Sequence, residues 1–127
     1  MASRDIQLCV PMLQQAWAYA SKEYITRYPL SPRPFITCTH RSNEEQAELY
    51  AKGRTTKGPI VTQIRAGGKH NQMPAQAFDI AFKKSDGTLD WTNTNFRVFA
   101  AILKAKFPQV RWGGDWPRFK DAPHFEV

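Results

Sequence analysis

Apolar positions in the first third of the chain recur at helical spacing: Leu13, Ala16, Trp17, Ala20 and Tyr24 fall on one stripe. Pro11 stands where a first helical turn tolerates a missing N–H, so the pattern predicts a helix from Pro11 to about Arg27. Pro29, Pro32 and Pro34 then exclude helix. The β-branched and aromatic run Phe35–Thr39 predicts a strand that delivers His40 and Arg41 to its end. Ser42 followed by Glu45 reads as a capping box, opening a second helix through Ala47, Leu49 and Tyr50 that Gly53 stops.

From Arg54 to Gln76 periodicity fades into Gly, Thr, Lys and Pro, which predicts a long surface excursion with one short strand at Ile60-Val61-Thr62. Strict alternation returns at Ala77–Phe82. Phe78, Ile80 and Phe82 point to one face, and Ala77, Asp79 and Ala81 to the other, so an aspartate flanked by small residues faces an open surface. Asp86-Gly87 marks a turn, and Thr92 or Asn93 can cap a third helix whose stripe is Phe96, Phe99, Ala100, Leu103 and Phe107, ended by Pro108. Val110–Trp112 and Pro123–Val127 complete the strands. The expected fold is α+β: one domain over residues 1–127, an antiparallel sheet carrying the site, helices on one side, and no separate wall-binding domain.

Composition narrows the partners. A net charge of +7 and a pI near 9.7 favour a polyanion, whether nucleic acid, anionic membrane or anionic cell wall. No helix gathers Lys and Arg on one face and no aromatic and basic residues interleave, which disfavours nucleic acid. No apolar stretch approaches the ~20 residues of a membrane span, and Leu8–Leu13 is too short for a signal-peptide core, so a cytoplasmic protein without stable membrane association is expected. Cys9 and Cys38 fit neither a disulfide framework nor a zinc knuckle and are expected to be small buried hydrophobes.

The chemistry lies in two of the three histidines. His70 follows Gly67-Gly68-Lys69 ahead of the Asp79 strand, and His124 closes Asp121-Ala122-Pro123-His124. In the final strand His124 and Glu126 share one face and line the same open surface as Asp79. Two imidazoles and one carboxylate would bind Zn2+ and leave its fourth position open, which suits a catalytic site. Asp121, three residues before His124, can stand beside the metal rather than on it, as a general base would.

These blocks resemble a family. Arg41-Ser42-x-x-x-Gln46-x-x-Leu49-Tyr50-x-x-Gly53-Arg54-Thr55, Ile60-Val61-Thr62, Gly68-Lys69-His70-Asn71 with Pro74-Ala75-x-Ala77-x-Asp79, Trp112-Gly113-Gly114-Asp115-Trp116 and Asp121-x-Pro123-His124-Phe125-Glu126 look like the zinc peptidoglycan peptidases. That family includes D-alanyl-D-alanine carboxypeptidases and dipeptidases and the L-alanyl-D-glutamate endopeptidases used as phage endolysins.

The resemblance implies His70, Asp79 and His124 as Zn2+ ligands, Asp121 as general base and Arg41 as the cation on the scissile carbonyl or its oxyanion. Glu126 and Asp115 are expected to support the metal histidines, with a turn-forming role the alternative for Asp115. His40 and Trp116 are expected to line the substrate cleft, and Trp112 and Trp116 to serve as core and cleft wall before any sugar platform. Two departures stand out: Gly68 occupies a position where many members have serine, and eight residues rather than six separate His70 from Asp79.

The expected activity is hydrolysis of an amide bond in the peptidoglycan stem peptide, favouring the L-alanyl-D-glutamate bond. The expected setting is a monomeric phage or prophage endolysin, held in the host cytoplasm until a holin-type permeabiliser releases it. A D-alanyl-D-alanine carboxypeptidase or dipeptidase is the alternative. A basic nucleic-acid-binding protein or metal nuclease, or a zinc-bearing module without catalysis, is more remote.

Overall fold

Helix α1 (Pro11–Arg27) begins with Pro11 in its first turn and buries Leu13, Ala16, Ala20 and Tyr24, the stripe its spacing predicts. The computed structural model describes residues 2–62 and 64–127. After α1 come β1 (Arg33–Cys38), α2 (Asn43–Ala51), β2 (Ala77–Lys83), α3 (Asn93–Lys106), β3 (Arg111–Trp112) and β4 (His124–Glu126). The strands form one antiparallel sheet in the order β1-β2-β4-β3. The strand latest in sequence therefore sits inside the sheet.

Alternation in β2 decides the two faces. Phe78, Ile80 and Phe82 are fully buried in the core with Phe125 of β4 and the inner stripes of α1 and α3. Phe78 stacks on Phe125 with centroids 5.4 Å apart and meets Trp17 edge-on at 6.0 Å, while Phe82 meets Phe96 edge-on at 4.9 Å. Such pairs add roughly 0.5–1.5 kcal/mol each beyond the area they bury. The other face carries Asp79.

The capping box at α2 forms in both directions: Ser42 Oγ accepts the Glu45 N–H at 3.1 Å, and Glu45 accepts the Ser42 N–H at 3.0 Å. Gly53 follows at φ +78°, where a Cβ would meet Ile60 backbone and side chain below 3 Å. At α3 the N-cap falls at Thr92, one of the two expected positions, but its side chain makes no capping bond. Asp90 accepts the Thr92 N–H at 2.9 Å instead.

The strand expected at Ile60-Val61-Thr62 does not form. Its β-branched residues line the cleft as loop, with Ile60 and Val61 more than half exposed. No helix of the described residues is long and apolar enough to cross a membrane.

Replacing Phe78 with alanine removes the ring that joins sheet to helices. It is expected to cost about 3–5 kcal/mol of unfolding free energy, read from urea denaturation; a loss under about 1 kcal/mol would contradict this packing.

Candidate metal centre and catalytic cleft

Register builds the site. Asp79 of β2 is the direct partner of His124 in β4, so both side chains leave the sheet on its open face. His124 Nδ1 lies 3.0 Å from Asp79 Oδ1, and His70 Nε2 reaches the same oxygen at 3.1 Å. The imidazole rings stand edge to face, centroids 5.1 Å apart.

Each histidine has its far nitrogen committed elsewhere. His70 Nδ1 lies 2.7 Å from the Thr39 carbonyl, so it donates there, and His124 Nε2 donates to Glu126 at 2.8 Å. Without a metal the inward nitrogens donate to Asp79; once those protons are given up, the outer partners select tautomers whose inward nitrogens offer lone pairs to a cation. Nitrogen, oxygen and nitrogen converge, and Asp121 brings a further oxygen into a group with Asp79 and His124 whose ligand atoms lie within 4.8 Å of one another. This donor set fits a divalent metal held by His70, Asp79 and His124, with Asp121 beside it.

His70 hangs on a short turn rather than the sheet. Asn71 holds that turn: its Oδ1 accepts the Gly68 N–H at 2.9 Å and its Nδ2 donates to the Arg41 carbonyl at 2.7 Å. A Cβ at position 68 would approach Ile64 Cγ2 to 3.0 Å. The Ile64 side chain thus presses on the space a serine side chain would enter. Thr39 is steadied in turn by Ser3, whose carbonyl accepts its N–H at 2.7 Å.

Asp121 is carried past two glycines. A Cβ on Gly113 would lie 2.3 Å from the Asp121 carbonyl oxygen, and one on Gly114 would lie 2.2 Å from the Trp112 ring. Trp112 Nε1 donates to the Ala122 carbonyl at 2.7 Å, pinning the same segment. Burial, then the nearby charge of Asp79, raise the Asp121 pKa against the lowering influence of His124, His70 and Arg41. A carboxyl raised in this way is suited to exchange a proton.

Arg41 lines the cleft, its Nη1 donating to Gln46 Oε1 at 2.8 Å and its Nη2 to Cys38 Sγ at 3.3 Å. Gln46 is buried, and its amide nitrogen donates to the Ile64 carbonyl at 2.7 Å and to Thr62 Oγ1 at 3.2 Å. One amide therefore ties Arg41 to the long loop. Gln46 stood in the sequence motif without a role, and an uncharged residue facing inward from a weakly amphipathic helix was the available signal. Cys38 is buried as expected, yet it touches Arg41 and lies 3.7 Å from His70 Nδ1. It is a soft polar contact of the site, unlike Cys9, whose thiol burial pushes up to about 12.

The remaining candidates separate. Trp116 lines the cleft with its ring 5.2 Å from that of His124. Glu126 bridges His124 and Arg111, the latter at 2.8 Å. Asp115 does not support a histidine: it pairs with Lys104 of α3, because its short turn projects it outward. His40 is absent from the described lining of the cleft, and its carbonyl accepts the Ser3 N–H at 2.8 Å. The cleft occupies about 610 Å³, and its lining includes Ile60, Val61, Thr62 and Ile64 as well as Trp116, Phe119, Lys120 and Asp121.

A family described as D-alanyl-D-alanine carboxypeptidase matches residues 69–127, which hold all three proposed metal donors and Asp121. The chain belongs to that peptidoglycan metallopeptidase family, which also embraces L-alanyl-D-glutamate endopeptidases. Among its relatives is the peptidoglycan L-alanyl-D-glutamate endopeptidase CwlK of Bacillus subtilis, 42% identical over 99 residues, covering 72% of this chain and 59% of CwlK. The chain thus spans under two-thirds of that relative's length. The crystal structure of the L-Ala D-Glu endopeptidase ChiX of Serratia marcescens superposes with a TM-score of 0.72 at 21% identity, covering all of this chain and 88% of ChiX, and shows the same fold.

Protons and a metal compete here. Burial lowers both histidine pKa values, but hydrogen bonds and charge from Asp79, with Cys38 for His70 and Glu126 for His124, outweigh it and raise them to about 10 and about 9. Asp79 is driven up by burial, yet its two histidine bonds hold it well below the usual carboxylate range. Because the folded histidine values exceed their ordinary 6.5, their contribution to metal-free stability is complete below that pH and is lost as pH rises through the raised values. Calorimetry of chelated protein is therefore expected to show the melting temperature falling between pH 6.5 and about 10, with a smaller fall once metal is bound. A metal-free melting temperature that rises over this window would contradict the arrangement.

Proposed function

We propose that this protein is a zinc-dependent endopeptidase that hydrolyses the L-alanyl-D-glutamate bond of the peptidoglycan stem peptide. The observation that carries the reading is the convergence of His70, Asp79 and His124 on one point, with an Asp121 oxygen within 4.8 Å of the ligand atoms of Asp79 and His124 and with Arg41 lining the same cleft. The similarity to CwlK supports the choice of bond.

Zinc held by His70, Asp79 and His124 would supply Lewis-acid polarisation of the scissile carbonyl and an acidified water as nucleophile. Asp121 takes the proton released as water adds to the carbonyl carbon. It then returns that proton to the departing nitrogen, so the alanyl side gains OH and the glutamyl side gains H. Arg41 faces the charge that develops on the carbonyl oxygen, and Gln46 and Cys38 hold its guanidinium in place. Thr39 and Glu126 keep the imidazole rings turned.

Cleavage at this bond separates the peptide from the glycan and removes its cross-links, which suits a lytic role. We extend the proposal to a phage or prophage endolysin, monomeric and held in the host cytoplasm until a permeabiliser releases it. Lysis of induced host cells only when a holin-type protein is co-expressed tests that setting; lysis without it would contradict it. The second reading is a D-alanyl-D-alanine carboxypeptidase, which the description of the matched family favours.

Mass spectrometry of digested sacculi separates the two. New N-terminal D-glutamate on released peptides supports the endopeptidase, and loss of a single terminal D-alanine supports the carboxypeptidase. Asp121→Ala is expected to retain stoichiometric zinc by elemental analysis while kcat falls by about 10²–10⁴; activity near that of the parent would reject Asp121 as the base. Gln46→Met should lower kcat roughly tenfold with little change in KM or zinc content, because it loosens Arg41 without touching a ligand. An effect confined to KM would show that Arg41 acts in ground-state binding.

A further inference from the structure

Nine large apolar side chains are exposed among the described residues, and five of them (Ile60, Val61, Ile64, Trp91 and Phe119) line the one cleft that holds Asp79 and His124. Exposed apolar residues scattered singly need no explanation, but their gathering around a reaction site does. Two of them are held for display. Trp91, 58% exposed, stacks on Phe96 with centroids 6.0 Å apart and planes only 13° from parallel, so one ring face is fixed against the core cluster. Phe119, 71% exposed, has φ +52°, the single positive value among described non-glycine residues. A bulky residue in that conformation costs free energy and returns nothing to the core from so exposed a position.

The stem peptide around the scissile bond offers these surfaces little to pack against: one alanine methyl, amides and a carboxylate, all small or polar. The apolar faces close to that bond belong to the amino sugar whose lactyl group carries the L-alanine: the C–H faces of the pyranose ring and the methyls of its N-acetyl and lactyl groups. Aromatic rings stack on sugar faces through the same C–H and π contacts that pair aromatic side chains with apolar groups. Phe119 lies two residues before Asp121 on the cleft wall, and Trp116 continues that wall onto the His124 ring at 5.2 Å.

Resting on the reaction assigned above, we propose that Trp91 and Phe119 form a subsite for the N-acetylated amino sugar of the glycan strand, next to the point of hydrolysis. The enzyme then acts on stem peptide still attached to glycan in preference to free peptide.

The test compares two substrates for the zinc-loaded protein: a disaccharide-bearing stem peptide, and the same peptide N-acylated by lactate without sugar. The wild type is expected to favour the first by at least about tenfold in kcat/KM, and Trp91→Ala and Phe119→Ala to bring that ratio to within about twofold of unity. Absence of a preference in the wild type, or its survival in both variants, overturns the subsite. Calorimetric titration with the peptide-free disaccharide decides independently of hydrolysis. Binding that both variants lose supports the subsite even if neither peptide is cut, an outcome that would fail the assigned reaction alone, and no binding up to about 10 mM overturns it. Both side chains are exposed, so near-parental melting temperatures are expected, and Phe119→Gly, which removes the ring and relieves its φ, repeats the test in a fold that loses nothing.

Discussion

Everything at the site depends on the pairing of Asp79 with His124 across two antiparallel strands. In a sheet whose side chains alternate with period two, that register decides which residues face helices and which face substrate. A slip of one residue would send Phe125 into the cleft and His124 into the aromatic core. The stack of Phe78 on Phe125 and the meeting of Asp79 with His124 are thus two sides of one alignment. The core holds the register, and the register holds two of the proposed metal donors.

The charge arrangement follows from that geometry. Asp79 is a largely buried carboxylate in the middle of a strand, a place tolerable only because two imidazoles contact the same oxygen. Those imidazoles are held by groups that differ in kind: a backbone carbonyl behind His70, and a carboxylate behind His124 that also pairs with Arg111. Two protons or one divalent cation can satisfy the cluster. Asp121 is raised by burial first and then by the nearby charge of Asp79, which sets the carboxylate proposed to bind metal apart from the carboxylate proposed to exchange protons.

Much of this was legible in the chain. The stripe of α1, the capping box of α2, the alternation of β2 and the pairing of His124 with Glu126 on one face are local patterns, set by periods of 3.6 or 2 and by fixed offsets. Together with the resemblance to the peptidoglycan peptidases they pointed to His70, Asp79, His124, Asp121 and Glu126. What could not be read were groups that meet only in three dimensions. Ile60-Val61-Thr62 has strand composition, but the described sheet offers it no partner, and Gln46 draws Thr62 and Ile64 toward Arg41 instead. Asp115 lies near His124 in sequence, yet its turn sends it to Lys104. The contact of Cys38 with Arg41 and His70 depends on a bulge in β1 between Ile36 and Cys38, which a count of alternating residues does not reveal.

The position of β4 has a consequence for biosynthesis. This strand comes latest among the elements but lies between β2 and β3, so a nascent chain leaving the ribosome has both neighbours waiting before the strand that joins them exists. Until then His70, Asp79 and Asp121 lack the His124 imidazole that completes their group. The donor group is therefore completed only when β4 pairs with β2, and β3, whose one partner in the described sheet is β4, joins the sheet by the same event.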